Sequence, residues 1–196
     1  MAFYSSTILY IALFFGLYYQ IFLLVTFFEK EEENSPLGKK KYEPTVTIIV
    51  PCFNEAKTVT KTVLSLLALD YPKEKLFITI VDDGSTDSTY QEASKIAHLG
   101  NIHIIRQENS GKYVALNKGI GASESEIVGC LDADSAVAPG TLLKMLPYFL
   151  QDKVVAVTPA MKVHDPKTLL QKIQNAEYNI GILLKKIMGK LDAIHV

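Results

Sequence analysis

Short apolar runs rich in β-branched residues alternate along this chain with segments whose apolar residues recur at helical spacing, and this alternation restricts the fold most. The apolar runs are Val46–Val50, Leu76–Val81, Ile102–Ile105, Ile127–Leu131 and Val154–Val157. Continuous apolar runs of this length are typical of strands covered on both faces. The helical segments between them are Thr58–Leu69, Ser88–Leu99, Val114–Ala122 and Thr141–Leu150. The sequence therefore predicts an α/β fold, with a mostly parallel sheet flanked by helices and right-handed crossovers.

The first 28 residues carry no charged side chain, whereas the rest of the 196-residue chain carries 20 basic and 21 acidic ones. As a helix, the uncharged run Phe3–Phe28 would be roughly 39 Å long, and about 30 Å is enough to cross the hydrocarbon core. The basic start, short apolar core and cleavage site of a signal peptide are missing. The sequence therefore predicts one N-terminal transmembrane helix, a single-pass anchor in the cell membrane, rather than a cleaved leader.

The charges beside this run predict its orientation. Positive residues near the end of a membrane helix favour the cytoplasmic side, and those that follow the run are Lys30, Lys39, Lys40 and Lys41. The α/β domain is therefore expected in the cytoplasm. A formal net charge of −1 argues against a nucleic-acid partner, because such proteins carry a basic patch.

Composition divides the chain into four segments. Residues 1–28 are the predicted anchor, 29–44 a charged linker without apolar periodicity, and 45–166 the α/β domain. Residues 167–196 repeat apolar residues at helical spacing, which predicts an amphipathic helix. This helix either lies on a membrane surface or packs on a further part of the domain. Cys52 and Cys130 have no CxxC or zinc-ligand spacing, so both are predicted to be reduced, buried apolar residues.

Polar and acidic residues follow the predicted strands directly. In open α/β sheets, ligands bind beyond the carboxyl ends of the strands. Asp132 and Asp134 come after one strand with a single residue between them, so both carboxylates can face one point on a loop. In isolation, such a pair is more often part of a solvated loop. At a strand's end it predicts a site for a hard cation, Mg²⁺ or Mn²⁺, that also takes phosphate oxygens.

Two further strand ends carry candidate binding residues. Asp82 and Asp83 are suited to accept hydrogen bonds from a base N–H or a ribose hydroxyl, while Gly84 permits a turn with positive φ. Asp87 is predicted to cap the next helix. Lys112 offers a mobile positive charge suited to a diphosphate. The spacing around Lys112 is not that of a Walker A loop, and the chain has no G-x-S-x-G hydrolase motif.

Four ordered motifs resemble those of the family 2 glycosyltransferases. They are Val46–Glu55, Val81–Asp87, Asn109–Asn117 and Leu131–Asp134. The resemblance covers roughly residues 45–180 and is greatest to the membrane-bound processive members, such as the hyaluronan, chitin, cellulose and poly-N-acetylglucosamine synthases. It implies a GT-A fold and an inverting, metal-dependent transfer from a UDP-sugar donor to a polysaccharide or glycolipid acceptor.

The resemblance also implies roles for individual residues. Pro51, Phe53 and Glu55 would lie by the uracil together with Asp82 and Asp83. Lys112 would lie near the diphosphate, and Asp132 and Asp134 would hold the donor through Mg²⁺ or Mn²⁺.

The family's later motifs are not found in residues 135–196. These include the acidic motif that supplies the general base, so no catalytic base is assigned. One expectation is that a second chain supplies the missing half. The alternative function is a catalytically incomplete fragment that only binds a nucleotide-sugar or a partner. A nucleotidyltransferase is a weaker alternative, because Pro51–Glu55 is neither glycine-rich nor basic.

Overall fold

The computed structural model of the chain describes residues 2–28, 42–152 and 154–190. The chain divides into two compact units, residues 36–158 and residues 1–35 with 159–196. Most of the predicted linker, residues 29–41, lies outside the described residues, as do residues 191–196 of the predicted amphipathic helix. The helices are α1 (Ala2–Phe28), α2 (Val59–Leu67), α3 (Thr89–Ile96), α4 (Lys112–Gly121), α5 (Thr141–Met145) and α6 (Leu169–Lys190). Short 3₁₀ helices cover Lys73–Lys75, Ala97–Leu99 and Leu146–Leu150.

A four-stranded parallel sheet forms the centre of the larger unit, with the order β3-β2-β1-β4. The strands are β1 (Val46–Cys52), β2 (Leu76–Asp83), β3 (Ile102–Gln107) and β4 (Ile127–Cys130). The chain runs outward from β1 to β3 and then returns to place β4 on the far side of β1. This reversal opens a crevice between the carboxyl ends of β1 and β4, where α/β sheets bind ligands. The predicted parallel α/β fold is confirmed.

The predicted fifth strand, Val154–Val157, is wrong. No residue of this segment is in a strand, and the side chain of Val155 is 91% exposed. The N–H of Val154 donates to the carbonyl of Gln151 in a local turn. An apolar run becomes a strand only where a neighbouring strand takes up its backbone hydrogen bonds and its side chains, and this segment has no strand pairing within the described residues.

The two faces of the sheet bury different clusters, because successive side chains of a strand point to opposite faces. Alternate residues of β1, from Val46 to Cys52, join the main core with the buried side of α2. Ile49 faces the other way and packs against α4. A Cβ on Gly119 of α4 would lie 2.6 Å from Cγ2 of Ile49. Glycine at this position therefore lets α4 pack closely against β1 and cover this face of the sheet.

The smaller unit contains α1 and α6. The uncharged N-terminal run is helical as expected, and its described large apolar side chains are exposed. Within residues 2–28, 42–152 and 154–190, no helix is both long enough and apolar enough to cross a membrane. The transmembrane helix predicted there is therefore not confirmed.

Helix α6 begins at Leu169, two residues after the start of the predicted amphipathic segment 167–196. The hydroxyl of Thr168 accepts a hydrogen bond from the N–H of Gln171, and the Gln171 side chain accepts one from the N–H of Thr168. This reciprocal pair is a capping box, which satisfies N–H groups that a helix start otherwise leaves unpaired.

Candidate functional site

An open cavity of about 470 Å³ lies at the carboxyl ends of the strands. Residues from the ends of β1, β2 and β4 and from the start of α4 line it: Pro51, Cys52, Phe53, Glu55, Asp83, Asn109, Gly111, Lys112, Asp132, Ala133 and Asp134. All of the predicted site residues are among them except Asp82. Four segments that are far apart in sequence therefore meet at the point where the fold class predicts a ligand.

The loop after β1 presents Phe53 and Glu55 to this cavity. Asn54 between them has a φ of 58°, in the left-handed region that asparagine tolerates better than most residues. Its N–H donates to the hydroxyl of Ser85 at 3.0 Å, and its side-chain oxygen accepts from the N–H of Thr86 at 2.9 Å. These bonds fix the loop against the one that follows β2. The half-exposed ring of Phe53 and the Glu55 carboxylate are thereby held at the cavity.

The Asp83 carboxylate organises the opposite wall. It accepts hydrogen bonds from the Gln107 amide at 2.6 Å and from the N–H groups of Ser110 and Gly111, both at 2.9 Å. Burial by itself raises the pKa of Asp83, but these hydrogen bonds outweigh it and hold the pKa below its ordinary value. Gly84 follows with a φ of 72°, as predicted. Asp83 is therefore an ionised clamp on the loop that leads into α4.

Asp82 lies outside the cavity, although it is adjacent in sequence to Asp83. Its side chain is fully buried, and its two oxygens meet the N–H of Ser85 and the guanidinium of Arg106. The prediction that Asp82 contacts a nucleotide stays a prediction, and its partners in this structure are protein groups. The roles of Asn54 and Arg106 could not be predicted from the sequence, because each acts through hydrogen bonds or charges that only the folded chain brings together.

Asp132 and Asp134 lie on the loop after β4 with exposed side chains. Ala133 between them is buried, and its carbonyl accepts a hydrogen bond from Thr62 of α2 at 2.7 Å. This anchor turns both carboxylates outward. Nζ of Lys112 lies 2.5 Å from Oδ1 of Asp132. That hydrogen bond raises the pKa of Lys112, against the opposing effect of burial, so Lys112 is a cation at neutral pH.

The donor atoms of this loop fit Mg²⁺ or Mn²⁺. Both ions take oxygen ligands, and Mg²⁺ is commonly held by one or two carboxylates while phosphates and water complete its shell. Among the described residues, no group of three or more His, Cys, Asp or Glu side chains is placed to hold a metal. A cation between Asp132 and Asp134 would therefore take its remaining ligands from a bound phosphate and from water.

The predictions for Asp87 and the two cysteines have different outcomes. The Asp87 carboxylate accepts hydrogen bonds from the N–H and hydroxyl of Thr89, the first residue of α3, but the N-cap residue is Ser88, so Asp87 lies one position before the predicted cap. These bonds lower the pKa of Asp87. Cys52 is buried as expected, and burial raises its pKa to about 12. Cys130 is exposed, so its predicted burial is wrong. It ends β4 at the edge of the sheet, where one face is left open.

Comparisons with known proteins identify the family of this chain. The profile of glycosyl transferase family 2 matches residues 47–193. Poly-beta-1,6-N-acetyl-D-glucosamine synthase of Staphylococcus aureus (strain COL) is 38% identical over 135 residues, which cover 68% of this chain and 32% of that protein. This chain thus spans about a third of the length of that curated relative.

Solved structures with a similar fold include a mannosyltransferase and TarS. A mannosyltransferase from Pyrobaculum calidifontis in complex with GDP-Man and Mn²⁺ has a TM-score of 0.60 and 28% identity, covering 69% of this chain and 41% of the other. TarS 1–349 of S. aureus in complex with UDP has a TM-score of 0.51 and 26% identity, covering 61% and 40%. The complex of TarS 1–349 with UDP-GlcNAc has a TM-score of 0.50 and 26% identity, covering 61% of this chain and 38% of the other. These neighbours share the GT-A fold, and the chain belongs to glycosyl transferase family 2.

Proposed function

We propose that the cavity binds the UDP-sugar donor of a glycosyl transfer reaction, and that the donor is UDP-N-acetylglucosamine. The observation that carries this proposal is the convergence of an aromatic ring, a lysine and four carboxylates in one cavity. The named activity of the S. aureus relative and the UDP-GlcNAc complex of TarS support the choice of donor. The acceptor is a growing polysaccharide or a glycolipid.

Each side chain of the cavity has a chemical task in this proposal. Phe53 offers its exposed ring to one face of the base, and Glu55 accepts hydrogen bonds from the base or the ribose. Lys112 leaves Asp132 and neutralises the diphosphate as it departs. Asp132 and Asp134 would hold a divalent cation, which would supply further charge neutralisation to the same leaving group. The P. calidifontis complex with Mn²⁺ supports the use of such a cation.

The proposed chemistry is a direct displacement with inversion. The acceptor hydroxyl attacks the anomeric carbon from the side opposite UDP, the bond to the diphosphate oxygen breaks, and the hydroxyl proton passes to a general base. No residue of this chain is assigned as that base. The match covers only 32% of the S. aureus relative, so only the donor-binding part of the full reaction is proposed for this chain.

The experiment is calorimetric titration of the chain with UDP and with UDP-GlcNAc, in the presence and absence of Mn²⁺. The test variant is Asp134→Ala, and the matched control is Asp70→Ala, an exposed carboxylate that does not line the cavity. Removal of Mn²⁺ is expected to weaken UDP binding at least about tenfold, because the ion that neutralises the diphosphate is lost. Asp134→Ala should have a similar effect, because it removes one ligand of that ion. Binding that is indifferent to both changes contradicts the metal site, and a folded chain that does not bind UDP contradicts the whole proposal.

Release of UDP from UDP-GlcNAc in the presence of an N-acetylglucosamine oligomer then separates two functions. Turnover by the chain alone supports a complete enzyme. Metal-dependent binding without turnover supports the alternative, a nucleotide-sugar-binding module that depends on a second chain for its base.

We also propose that α1 holds the chain at the cell membrane as a single-pass anchor, with the cavity in the cytoplasm. The absence of charge from the first 28 residues and the exposure of large side chains such as Phe14 and Leu17 support this. Alkaline carbonate extraction of membranes tests it. The chain should stay in the membrane fraction, and a variant with Leu13→Lys and Leu17→Lys should not. Full extraction of the unmodified chain contradicts the anchor.

A further inference from the structure

A buried carboxylate and a half-exposed guanidinium form a charge pair beside the cavity wall. Asp82, the penultimate residue of β2, pairs with Arg106 of β3, and its side chain has no exposed surface. Nε of Arg106 lies 3.2 Å from Oδ2 of Asp82. This contact has ion-pair distance without regular hydrogen-bond geometry, and Oδ2 has no hydrogen-bond partner among the described residues. Arg106 is therefore the cation that compensates this buried charge.

The position of the guanidinium is fixed from two sides. Cζ of Arg106 lies 5.0 Å from the centre of the Tyr90 ring of α3, a distance at which the ring face attracts a cation. Its Nη2 donates to the carbonyl of Ser85 at 3.4 Å. Arg106 thus contacts the backbone of the loop after β2 at Ser85, and it also pairs with the Asp82 carboxylate of that strand.

A continuous chain of contacts leads from this pair to the cavity. Oδ1 of Asp82 accepts a hydrogen bond from the N–H of Ser85 at 3.1 Å, and the hydroxyl of Ser85 accepts one from the N–H of Asn54 at 3.0 Å. Asn54 holds its left-handed conformation between Phe53 and Glu55, which line the cavity. Arg106 itself does not line it.

We infer that Arg106 is a positioning residue for the donor site, which acts through Asp82 and Ser85 on Phe53 and Glu55 without touching the donor. The inference rests on the proposed function for its consequence in donor binding. Its structural basis is that the Asp82 side chain is fully buried beside Arg106, and that removing one partner of a buried ion pair is strongly destabilising. Without Arg106, the buried Asp82 side chain would either move or take up a proton, and both changes weaken the hydrogen bond that it accepts from the N–H of Ser85.

Two measurements on the full chain test this inference. The variants are Arg106→Met, which removes the charge, and Arg106→Lys, which keeps it but loses the fork that reaches both Asp82 and Ser85. Lys95→Met is the control, because it removes a surface cation whose ion-pair partner among the described residues is Glu92 on α3. Amide hydrogen exchange reports the order of the two loops, and titration reports the dissociation constant for UDP.

In Arg106→Met, we expect faster exchange confined to the loops 53–56 and 84–87, and about a tenfold rise in the UDP dissociation constant, because the preorganised loop geometry is lost. Arg106→Lys is expected to recover most of that affinity while staying a few-fold weaker than the original chain. Lys95→Met should change neither quantity. If Arg106→Met does not fold, Arg106→Lys still decides, because local exchange and affinity equal to those of the original chain would overturn the inference.

A purely structural role predicts a different pattern. In that case Arg106→Met would lower the unfolding temperature and raise exchange throughout the sheet, with an unchanged dissociation constant in the folded protein, and the inference is then wrong. If the original chain does not bind UDP, the proposed function fails on its own. The exchange of the two loops would still show whether Arg106 orders them.

Discussion

The Asp83 clamp allows a quantitative prediction of stability. In Asp83→Asn, one carboxylate oxygen becomes an NH₂ group, which cannot accept a hydrogen bond. In the best orientation, the remaining oxygen keeps the bonds from Gln107 and Ser110, and the NH₂ group faces the N–H of Gly111. One charge-assisted bond is then lost and two donors meet, so the free energy of unfolding should fall by about 2–3 kcal/mol at pH 7. The unfolding temperature should fall by roughly 5–10 °C.

The pH dependence follows from the lowered pKa of Asp83. Because the folded state binds this proton less tightly than the unfolded state does, the stabilisation is complete above the ordinary value of 3.8. It is lost as the pH falls through the lower folded value. The difference between the original chain and Asp83→Asn should therefore be constant from neutral pH down to about pH 5 and shrink below about pH 4.

Urea unfolding followed by circular dichroism at several pH values measures this difference. The matched control is Glu108→Gln, which removes the same charge from an exposed position of the same loop and should change stability by less than about 0.5 kcal/mol. The reasoning is refuted if Asp83→Asn is as stable as the control at pH 7. It is also refuted if the difference stays unchanged throughout the acid range.

Two other predictions concern the turn after β2 and the cysteines. Gly84→Ala should lower the free energy of unfolding by about 2–4 kcal/mol, because the position needs a positive φ and a Cβ would lie 2.6 Å from the backbone nitrogen of Asn109. Gly121→Ala, with nothing within 4 Å, should leave the free energy unchanged or raise it by up to about 1 kcal/mol in the same urea titration, and equal losses would contradict the steric argument. A thiol reagent at pH 8 should label Cys130 in the native protein, and should label Cys52 only after unfolding, because Cys52 is buried with a pKa of about 12. Mass spectrometry counts the labels, and two labels on the native chain would contradict this burial.

Local patterns in the sequence were enough to predict most of the fold. The four paired strands and the helices between them lie within a few residues of the predicted segments, because strand and helix periodicities are properties of short stretches. The motifs predicted the family, and the comparisons confirm it. The prediction of a strand at Val154–Val157 was wrong because the composition of a segment cannot show whether a partner strand is available. The predicted burial of Cys130 was wrong because its exposure depends on which strand lies at the edge of the sheet.

The adjacent residues Asp82 and Asp83 show what the sequence determines and what the tertiary structure decides. The sequence by itself determined that two carboxylates end a buried strand beside a ligand-binding edge. Neighbouring side chains of a strand point to opposite faces, so only the tertiary structure decided that Asp83 lines the cavity and Asp82 is buried against Arg106. The physical reason is that the cost of burying a charge depends on its partner. Here the partner comes from a strand that lies more than twenty residues away in the sequence.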